Sequence, residues 1–342
     1  MTKPILDVLA GNRLDPPPLW MMRQAGRYLK EYLAVRAEAG SFLELCYDSD
    51  KAAEVTLQPI RFFEMDAAIL FADILLVPQA MGGKLWFAEG EGPRFEPVTT
   101  AQAIEGLSAG DPDGVLKPVY ETVSKVKAGL PQETALIGFA GAPWTVATYL
   151  VAGRGTPDQA PARKLAHDDP ALMDLLIDKI VGATIPYLKN QIAAGAEVIQ
   201  LFDSWASYLA PRDFERLVIR PTLKIVKALK ADYPETPIIG FPRGAGTAIG
   251  AYARETGVDA IGLDTGVDPQ GVNALLPKGL PVQGALDPLA LRAGGAALED
   301  GVKACLQGFA ERPHIFNLGH GIVLDTPREH VARAVALVRQ GV

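Results

Sequence analysis

The sequence predicts an α/β protein with a single (β/α)8 TIM barrel, and two patterns support this fold class. Eight short runs of β type recur along the chain, and most of them are almost continuously apolar. Such runs are typical of parallel strands that are buried on both faces of a sheet. Stretches with helical character lie between the runs, and eight strands alternating with helices is the count for this barrel. A doubly wound sheet with an extra domain is the alternative that these patterns leave open.

The elements follow one another in a regular order. The predicted strands are Pro17–Met22, Ala67–Asp73, Thr134–Gly141, Glu197–Ser204, Pro237–Arg243, Asp259–Thr265, Pro281–Asp287 and His314–His320. Helical stretches between and after them include Pro170–Ala194, Pro211–Ala231 and Leu298–Phe309. A further helix starts near Thr326, because Thr326 and Glu329 form a capping-box pair around a proline at the first helical position.

The connection after the second predicted strand is long. Roughly sixty residues separate Asp73 from Thr134, more than one strand–helix connection requires. Within it, Lys84–Phe87 and Pro93–Phe95 flank a glycine-rich turn, which predicts an inserted hairpin around residues 80–97. No compositional break divides the chain, so we expect residues 1–342 to form one domain.

Composition narrows the class of protein. The chain has 342 residues, 49% of them hydrophobic, which allows a large core. Its two cysteines, Cys46 and Cys305, lie far apart and have no metal-ligand spacing. No apolar run approaches the roughly 20 residues of a membrane span, and the N-terminus lacks the apolar core of a signal peptide, so we expect a cytoplasmic protein without a membrane partner. The net charge of −7 argues against nucleic acid as a partner.

The segment Met21–Tyr28 is the strongest functional signal. Arg23 and Arg27 lie four residues apart after an apolar run, and a helical turn here would place both on one face. Each guanidinium offers a planar fork of donors that suits a carboxylate or phosphate. The small residues Ala25 and Gly26 would let backbone N–H groups approach the same ligand. The segment therefore predicts a polyanion as ligand, although a solvated arginine pair on a surface helix is the simpler alternative.

Polar residues also follow several predicted strands, where a barrel builds its active site. Asp73 ends an almost wholly apolar strand and either meets a cationic group or caps the next turn. His320 lies between two glycines, which would keep its ring accessible. For Asp264 and Asp287 a structural role is the simpler interpretation: they cap helices or form ion pairs at the rim of the barrel. The remaining residues at or just beyond strand ends are Tyr149, Ser204 and Arg243.

Several signatures of cofactor chemistry are missing from the sequence. There is no Gly-x-Gly-x-x-Gly after a strand, no P-loop and no His-Glu-x-x-His. No lysine stands at the end of a predicted strand, which weakens the case for Schiff-base chemistry. We therefore expect chemistry that uses neither a metal nor an organic cofactor.

Six blocks of sequence resemble the uroporphyrinogen decarboxylase family. They run in order over essentially the whole chain: Pro18–Leu29, Thr56–Pro59, Phe71–Leu75, Gly138–Thr145, Gln200–Trp205 and Asn317–Gly321. The departures are small, since Lys30 stands where the family usually has proline and Ser207 where glycine is frequent.

The resemblance implies a homodimeric (β/α)8 barrel of tetrapyrrole biosynthesis that works without a cofactor. Its substrate would be uroporphyrinogen III, whose four acetate side chains lose CO₂ to give coproporphyrinogen III. The family's substrate contacts correspond to Arg23, Gln24, Ala25, Gly26, Arg27, Asp73, Tyr149, Ser204 and His320, with Arg36 as a further candidate.

Chemistry explains why these residue types suit that reaction. Arginines can bind the eight carboxylates of the substrate, and an ionised Asp73 can accept hydrogen bonds from its pyrrole N–H groups. Protonation of a pyrrole creates a cationic ring that takes up the electrons of the breaking C–C bond. We expect Asp73 to be catalytic by stabilising this cation, and the proton donor stays unassigned.

Two other functions stay open at this point. A corrinoid- or coenzyme-linked methyltransferase would need a zinc site with His and Cys ligands, which the positions of Cys46 and Cys305 do not favour. A non-catalytic tetrapyrrole carrier would need the arginines but not Asp73.

Overall fold

A curled parallel β-sheet forms the centre of the protein. The computed structural model describes residues 3–88, 92–111 and 114–341. Within these ranges, seven strands pair in parallel in the order β1-β4-β5-β6-β7-β8-β9, while β2 and β3 form a separate antiparallel hairpin. The strands are β1 (Ala67–Ile69), β2 (Leu85–Ala88), β3 (Gly92–Phe95), β4 (Ala135–Gly141), β5 (Val198–Asp203), β6 (Ile238–Pro242), β7 (Ala260–Gly262), β8 (Val282–Gln283) and β9 (His314–Ile315).

Helices connect the strands and cover the outer face of the sheet. The α-helices are α1 (Pro4–Leu9), α2 (Lys30–Ala39), α3 (Phe42–Tyr47), α4 (Ser49–Phe63), α5 (Leu76–Ala80), α6 (Ala101–Glu105), α7 (Lys117–Gly129), α8 (Pro143–Ala152), α9 (Ala160–Asp168), α10 (Pro170–Ala194), α11 (Pro211–Phe214), α12 (Arg220–Asp232), α13 (Ile249–Glu255), α14 (Pro269–Leu275), α15 (Pro288–Ala293), α16 (Gly295–Gly308) and α17 (Arg328–Gln340). A π-helical turn, Glu215–Ile219, joins α11 to α12, and a 3-10 turn, Gly246–Ala248, precedes α13.

The first predicted strand, Pro17–Met22, is not a strand in the structure. Leu19 forms an isolated parallel bridge with Phe316, whose N–H donates to the carbonyl of Pro18 at 2.9 Å. On the other side, the carbonyl of Leu19 accepts from the N–H of Asp66 at 2.9 Å. The segment thus contacts both edges of the sheet, but its prolines lack the N–H groups that a regular ladder needs. The described residues therefore form a curled seven-stranded sheet rather than eight regular strands.

Side chains on the inner face show how strongly the sheet curls. Gln283 on β8 donates from Nε2 to Oε1 of Gln200 on β5 at 3.1 Å, although the two strands stand three places apart. Oε1 of Gln283 also accepts from the indole N–H of Trp20 at 2.8 Å. Only a curled sheet brings these side chains together, because neighbouring strands are about 4.8 Å apart.

Helix α1 covers the amino-terminal end of the sheet. Its residues Ile5 and Val8 are fully buried in one cluster with the inner side chains of the strands. Lys3, just before the helix, donates to the carbonyl of Thr134 at 2.6 Å and pairs with Glu197 at 2.8 Å, and both partners precede strands. The carboxyl ends of the strands are thus the end at which a ligand can enter.

Candidate active site

The predicted site residues meet at the carboxyl ends of the strands. Asp73 follows β1, Ser204 directly follows β5, and His320 lies in the loop after β9. Tyr149 belongs to α8, the helix after β4, and Arg23 follows the bridging segment. The charge of Arg23 affects the pKa values of Asp73, Tyr149 and His320, which places these four side chains around one cleft.

The loop that carries the arginines is not helical, so the helical turn that would place both arginines on one face does not form. Helix α2 begins only at Lys30. Arg23 has a φ of 61°, in the left-handed region that non-glycine residues rarely adopt. Gly26 allows the tight course of the chain, since a Cβ there would lie 2.9 Å from the carbonyl oxygen of Arg23. Arg23 and Arg27 therefore owe their positions to this loop rather than to a shared helix face.

Gln24 fixes the loop to the sheet. Its Nε2 donates to the carbonyl of Ala67 in β1 at 3.0 Å, and its Oε1 accepts from the N–H of Met21 at 3.1 Å. The side chain is only 1% exposed. Gln24 thus ties the arginine loop to the strand that leads to Asp73, and its contact with substrate stays a prediction, as do those of Ala25 and Gly26.

Asp73 is a half-buried carboxylate with one local partner. Burial raises its pKa, while the N–H of Leu75, which donates to Oδ1 at 2.8 Å, and the charge of Arg23 act in the opposite direction. One oxygen of Asp73 thus caps the next turn, which is the alternative role considered for this residue. The second oxygen has no hydrogen bond to a described residue.

His320 and Tyr149 are both neutral at physiological pH. Burial, aided by the charges of Arg23 and Arg243, lowers the pKa of His320 to about 3. Burial also raises the pKa of Tyr149 above its ordinary value. The imidazole can donate or accept a hydrogen bond, but it carries no acidic proton near pH 7.

Asp203, the last residue of β5, directly precedes Ser204 and is a second buried carboxyl. The sequence prediction missed it. Its Oδ1 accepts from the hydroxyl of Thr145, and that hydroxyl oxygen accepts from the N–H of Trp205 at 3.1 Å. The indole N–H of Trp144 donates to the carbonyl of Trp205 at 2.8 Å. These bonds fasten the chain after Ser204 to α8, the helix of Tyr149. Burial raises the pKa of Asp203 to about 7.

The charges in the cleft are unbalanced. Arg23, Arg27 and Arg243 form no ion pair with a described residue, and Asp73 is the carboxylate whose charge acts on Arg23. Loss of hydration lowers the pKa of Arg23, and the charges of Arg27 and Arg243 add to this effect. A protein with a net charge of −7 thus has a cationic cleft, as the sequence predicts from Arg23 and Arg27. The guanidinium of Arg36 lies 5.5 Å from the ring centre of Phe42, and the charges of Arg36 and Arg27 both act on the pKa of Tyr32.

Two other acidic residues at strand ends have structural roles, as expected. Asp264 accepts from the N–H groups of Gly244 and Gly266, at 2.7 and 2.9 Å. Asp287 caps α15 by accepting from the N–H of Leu289 at 2.8 Å.

The described ranges offer neither a cluster of metal ligands nor a transmembrane helix. They contain no group of three or more His, Cys, Asp or Glu side chains arranged to hold a metal ion. Cys46 and Cys305 are buried and free, and burial raises the pKa of both thiols. None of the helices in these ranges has the length and apolar character of a transmembrane segment.

Fold and site together define a class: a curled parallel α/β protein with a group of arginines at the carboxyl ends of its strands. The family model described as uroporphyrinogen decarboxylase (URO-D) matches residues 1–341. The uroporphyrinogen decarboxylases of Rhizorhabdus wittichii and Sphingopyxis alaskensis are each 58% identical, over 338 and 339 residues, and the matches cover 99% of this chain and 98% of theirs. The chain therefore belongs to the uroporphyrinogen decarboxylase family, a family of carboxy-lyases.

A comparison of structures supports the fold alone. A methyltransferase from Methanosarcina mazei superimposes with a TM-score of 0.81 at 19% identity, and the match covers 98% of this chain and 97% of that one. At this level of identity the likeness extends to the course of the backbone and not to the chemistry.

Proposed function

We propose that the protein converts uroporphyrinogen III to coproporphyrinogen III by removing the carboxyl groups of its four acetate side chains. The observation that carries this proposal is the position of Arg23, which has no ion-pair partner among the described residues and whose pKa responds to the charges of half-buried Asp73 and of Arg27 and Arg243. A polycarboxylate that also carries N–H donors fits this arrangement, because its carboxylates can bind the arginines and its N–H groups can donate to the aspartate.

The arginines bind the substrate and hold it in place. Arg23 and Arg27 bind carboxylates of the substrate, because charge-assisted hydrogen bonds from a guanidinium fork are strong and directional. Tyr149, Ser204 and neutral His320 complete the binding surface with hydrogen bonds. The loop residues Gln24, Ala25 and Gly26 shape the same wall of the cleft.

Asp73 stabilises the cationic intermediate. Its free oxygen accepts hydrogen bonds from the pyrrole N–H groups, while Arg23 and the N–H of Leu75 oppose the rise in its pKa that burial causes. Protonation of the ring carbon next to the acetate-bearing carbon gives a cation that extends over the ring nitrogen. The C–C bond to the carboxylate then breaks, CO₂ leaves, and its electron pair forms an exocyclic methylene group. A proton added to this methylene gives the methyl group, and loss of the first proton restores the pyrrole.

The cleft also limits which group supplies the proton. Arginine is too weak an acid for this step, and His320 is already deprotonated at neutral pH because its pKa is about 3. The carboxyl group of Asp73 is already in position before the cation forms, so the site needs little reorganisation during the reaction.

The proposal includes a closed eight-stranded barrel in which Pro18–Trp20 takes the place of the first strand. Hydrogen bonds from this segment toward β9 and β1 support the closure. We expect one domain over residues 1–342, a homodimer and a cytoplasmic location. Exposed apolar side chains such as Leu33, Trp86 and Leu324 offer surface for a second copy. Light scattering on the purified protein tests the dimer directly.

The decisive experiment is an anaerobic incubation with chemically reduced uroporphyrinogen III, with and without EDTA. Products are oxidised and separated by their number of carboxylates. We expect seven-, six-, five- and then four-carboxylate porphyrins, at the same rate with and without the chelator. An unchanged carboxylate number beside an active control enzyme contradicts the proposal and favours a carrier. Turnover that is lost with EDTA and restored by zinc contradicts the cofactor-free mechanism.

A further inference from the structure

Arg243 occupies a defined place at the rim of the cleft. It directly follows β6, and its N–H donates to the carbonyl of Asp203 at 3.0 Å. Because Asp203 on β5 pairs in register with Pro242 on β6, Arg243 stands beside Ser204. Its side chain is half-buried. The residue therefore belongs to the same wall of the cleft as a predicted substrate contact.

The backbone around Arg243 is held firmly. Gly244 has a φ of 75°, and its N–H donates to Oδ2 of Asp264 at 2.7 Å. A Cβ on Gly244 would lie 2.7 Å from Cβ of Ser207, so the turn packs closely against the neighbouring loop. A residue whose flanking backbone is fixed in this way can present its side chain with little loss of entropy on binding.

The guanidinium of Arg243 has no partner among the described residues. Asp264, the carboxylate that follows the next strand, uses its two oxygens for the backbone N–H groups of Gly244 and Gly266. The charge of Arg243 instead acts on Arg23 and His320, whose pKa values it lowers, so it faces the cleft. Bringing a third positive charge close to Arg23 and Arg27 is unfavourable unless an anion joins them.

We propose that Arg243 binds a carboxylate of the porphyrinogen that is not the one being lost, and so determines the affinity for highly carboxylated substrates. This inference rests on the proposed function. Asp73 follows β1 and Arg243 follows β6, three places further along the sheet. The charge that acts on Asp73 is that of Arg23 and not that of Arg243, so we expect a carboxylate held by Arg243 to lie away from the pyrrole that reacts. Such a contact is equally strong in the ground state and the transition state, so it affects KM and leaves kcat nearly unchanged.

The test compares Arg243→Ala and Arg243→Lys with the wild type. Wild-type turnover of uroporphyrinogen III decides the proposed function, and the variants decide the role of Arg243. We expect Arg243→Ala to raise KM by about tenfold or more with kcat within about threefold, since a charge-assisted hydrogen bond is lost. Arg243→Lys keeps the charge and restores part of the affinity. Lys303→Ala on the outer helix α16 removes one positive charge far from the cleft and should match the wild type.

Two results overturn the inference. One is a KM of Arg243→Ala within twofold of the wild type. The other is a fall in kcat and in melting temperature that Arg243→Lys does not restore, because a merely structural residue would behave in that way. If Arg243→Ala does not fold, Arg243→Gln, which keeps the length and removes the charge, is measured instead. Binding of uroporphyrin to the folded variants, followed by fluorescence, gives a second readout that is independent of turnover.

Discussion

The backbone of Gly321 packs directly against the side chain of Arg23. A Cβ atom on Gly321 would lie 2.3 Å from Cδ and 2.8 Å from Nε of Arg23. The two residues come from opposite ends of the chain, and the missing side chain of Gly321 leaves the space through which the guanidinium reaches the cleft. The direction of Arg23 is thus set by a residue that carries no functional group.

Gly321→Ala should displace Arg23 and weaken substrate binding. Because distances below 3.0 Å cannot persist, the arginine must move away, and we expect KM to rise at least about tenfold. Steady-state kinetics and urea unfolding measure the two effects separately. Gly110→Ala is the matched control, since a Cβ there meets nothing within 4 Å. A KM equal to that of the wild type would show that Arg23 keeps its role in another orientation.

Asp73→Asn should keep the fold and lose most of the turnover. The amide oxygen can still accept from the N–H of Leu75, so the substitution removes mainly the charge. Loss of one preorganised contact of this type costs about 10²–10³ in kcat. Asp287→Asn, in a helix cap at another strand end, is the control and should retain turnover. Near-normal activity of Asp73→Asn contradicts the proposed mechanism.

Gln24→Ala should destabilise the protein. It leaves the carbonyl of Ala67 and the N–H of Met21 without their buried partners, at a cost of about 1–3 kcal/mol in the free energy of unfolding. Urea denaturation measures this change. Gln102→Ala on the exposed face of α6 should alter stability by less than about 0.5 kcal/mol. Equal stability of the two variants would mean that the arginine loop is held by other contacts.

Asp203 should make stability fall as the pH rises toward neutrality. Burial raises its pKa in the folded protein to about 7, while the unfolded chain releases this proton near the ordinary value of 3.8. Unfolding therefore releases a proton between these pH values, and stability decreases by up to about 1.4 kcal/mol per pH unit. The favourable contribution is complete below about pH 4 and is lost above about pH 7.

Asp203→Asn has no proton to release and isolates this effect. Chemical unfolding of wild type and variant at pH 5 and pH 8 gives the difference, from which the other titrating groups cancel. We expect the wild type to lose more stability than the variant over this interval. Parallel pH dependences would show that the carboxyl of Asp203 is ionised throughout.

Local sequence patterns predicted the regular elements well. Helix α10 begins at Pro170 and ends at Ala194 as predicted, because Asp169 caps its first turn and Gly195 follows its end. The strands are shorter than their apolar runs, for example β8, which keeps only Val282–Gln283 of Pro281–Asp287. Pairing stops where the chain turns away from its neighbour, and this depends on residues far away in sequence.

In the candidate site, too, local patterns predict some features, while others depend on contacts between residues far apart in sequence. Strand-end position led to the selection of Asp73, Ser204 and His320, whose contacts with substrate stay predictions, whereas the helical turn considered for the arginine loop does not form. Its true shape depends on the bond from Gln24 to Ala67, which no local pattern reveals. Asp203 was missed because a single aspartate in an apolar strand does not show whether it faces solvent or the interior. Its burial becomes visible only with the contact to Thr145.

The contacts of the segment Pro18–Trp20 affect when the cleft can become ordered during synthesis on the ribosome. Its partner Phe316, and Gly321, which packs against Arg23, are synthesised long after this segment. Domains fold as their chain emerges, but contacts between distant ends wait for the later end. A nascent chain can therefore build helices and central strands early, yet the surroundings of Arg23 become ordered only after Gly321 has been synthesised.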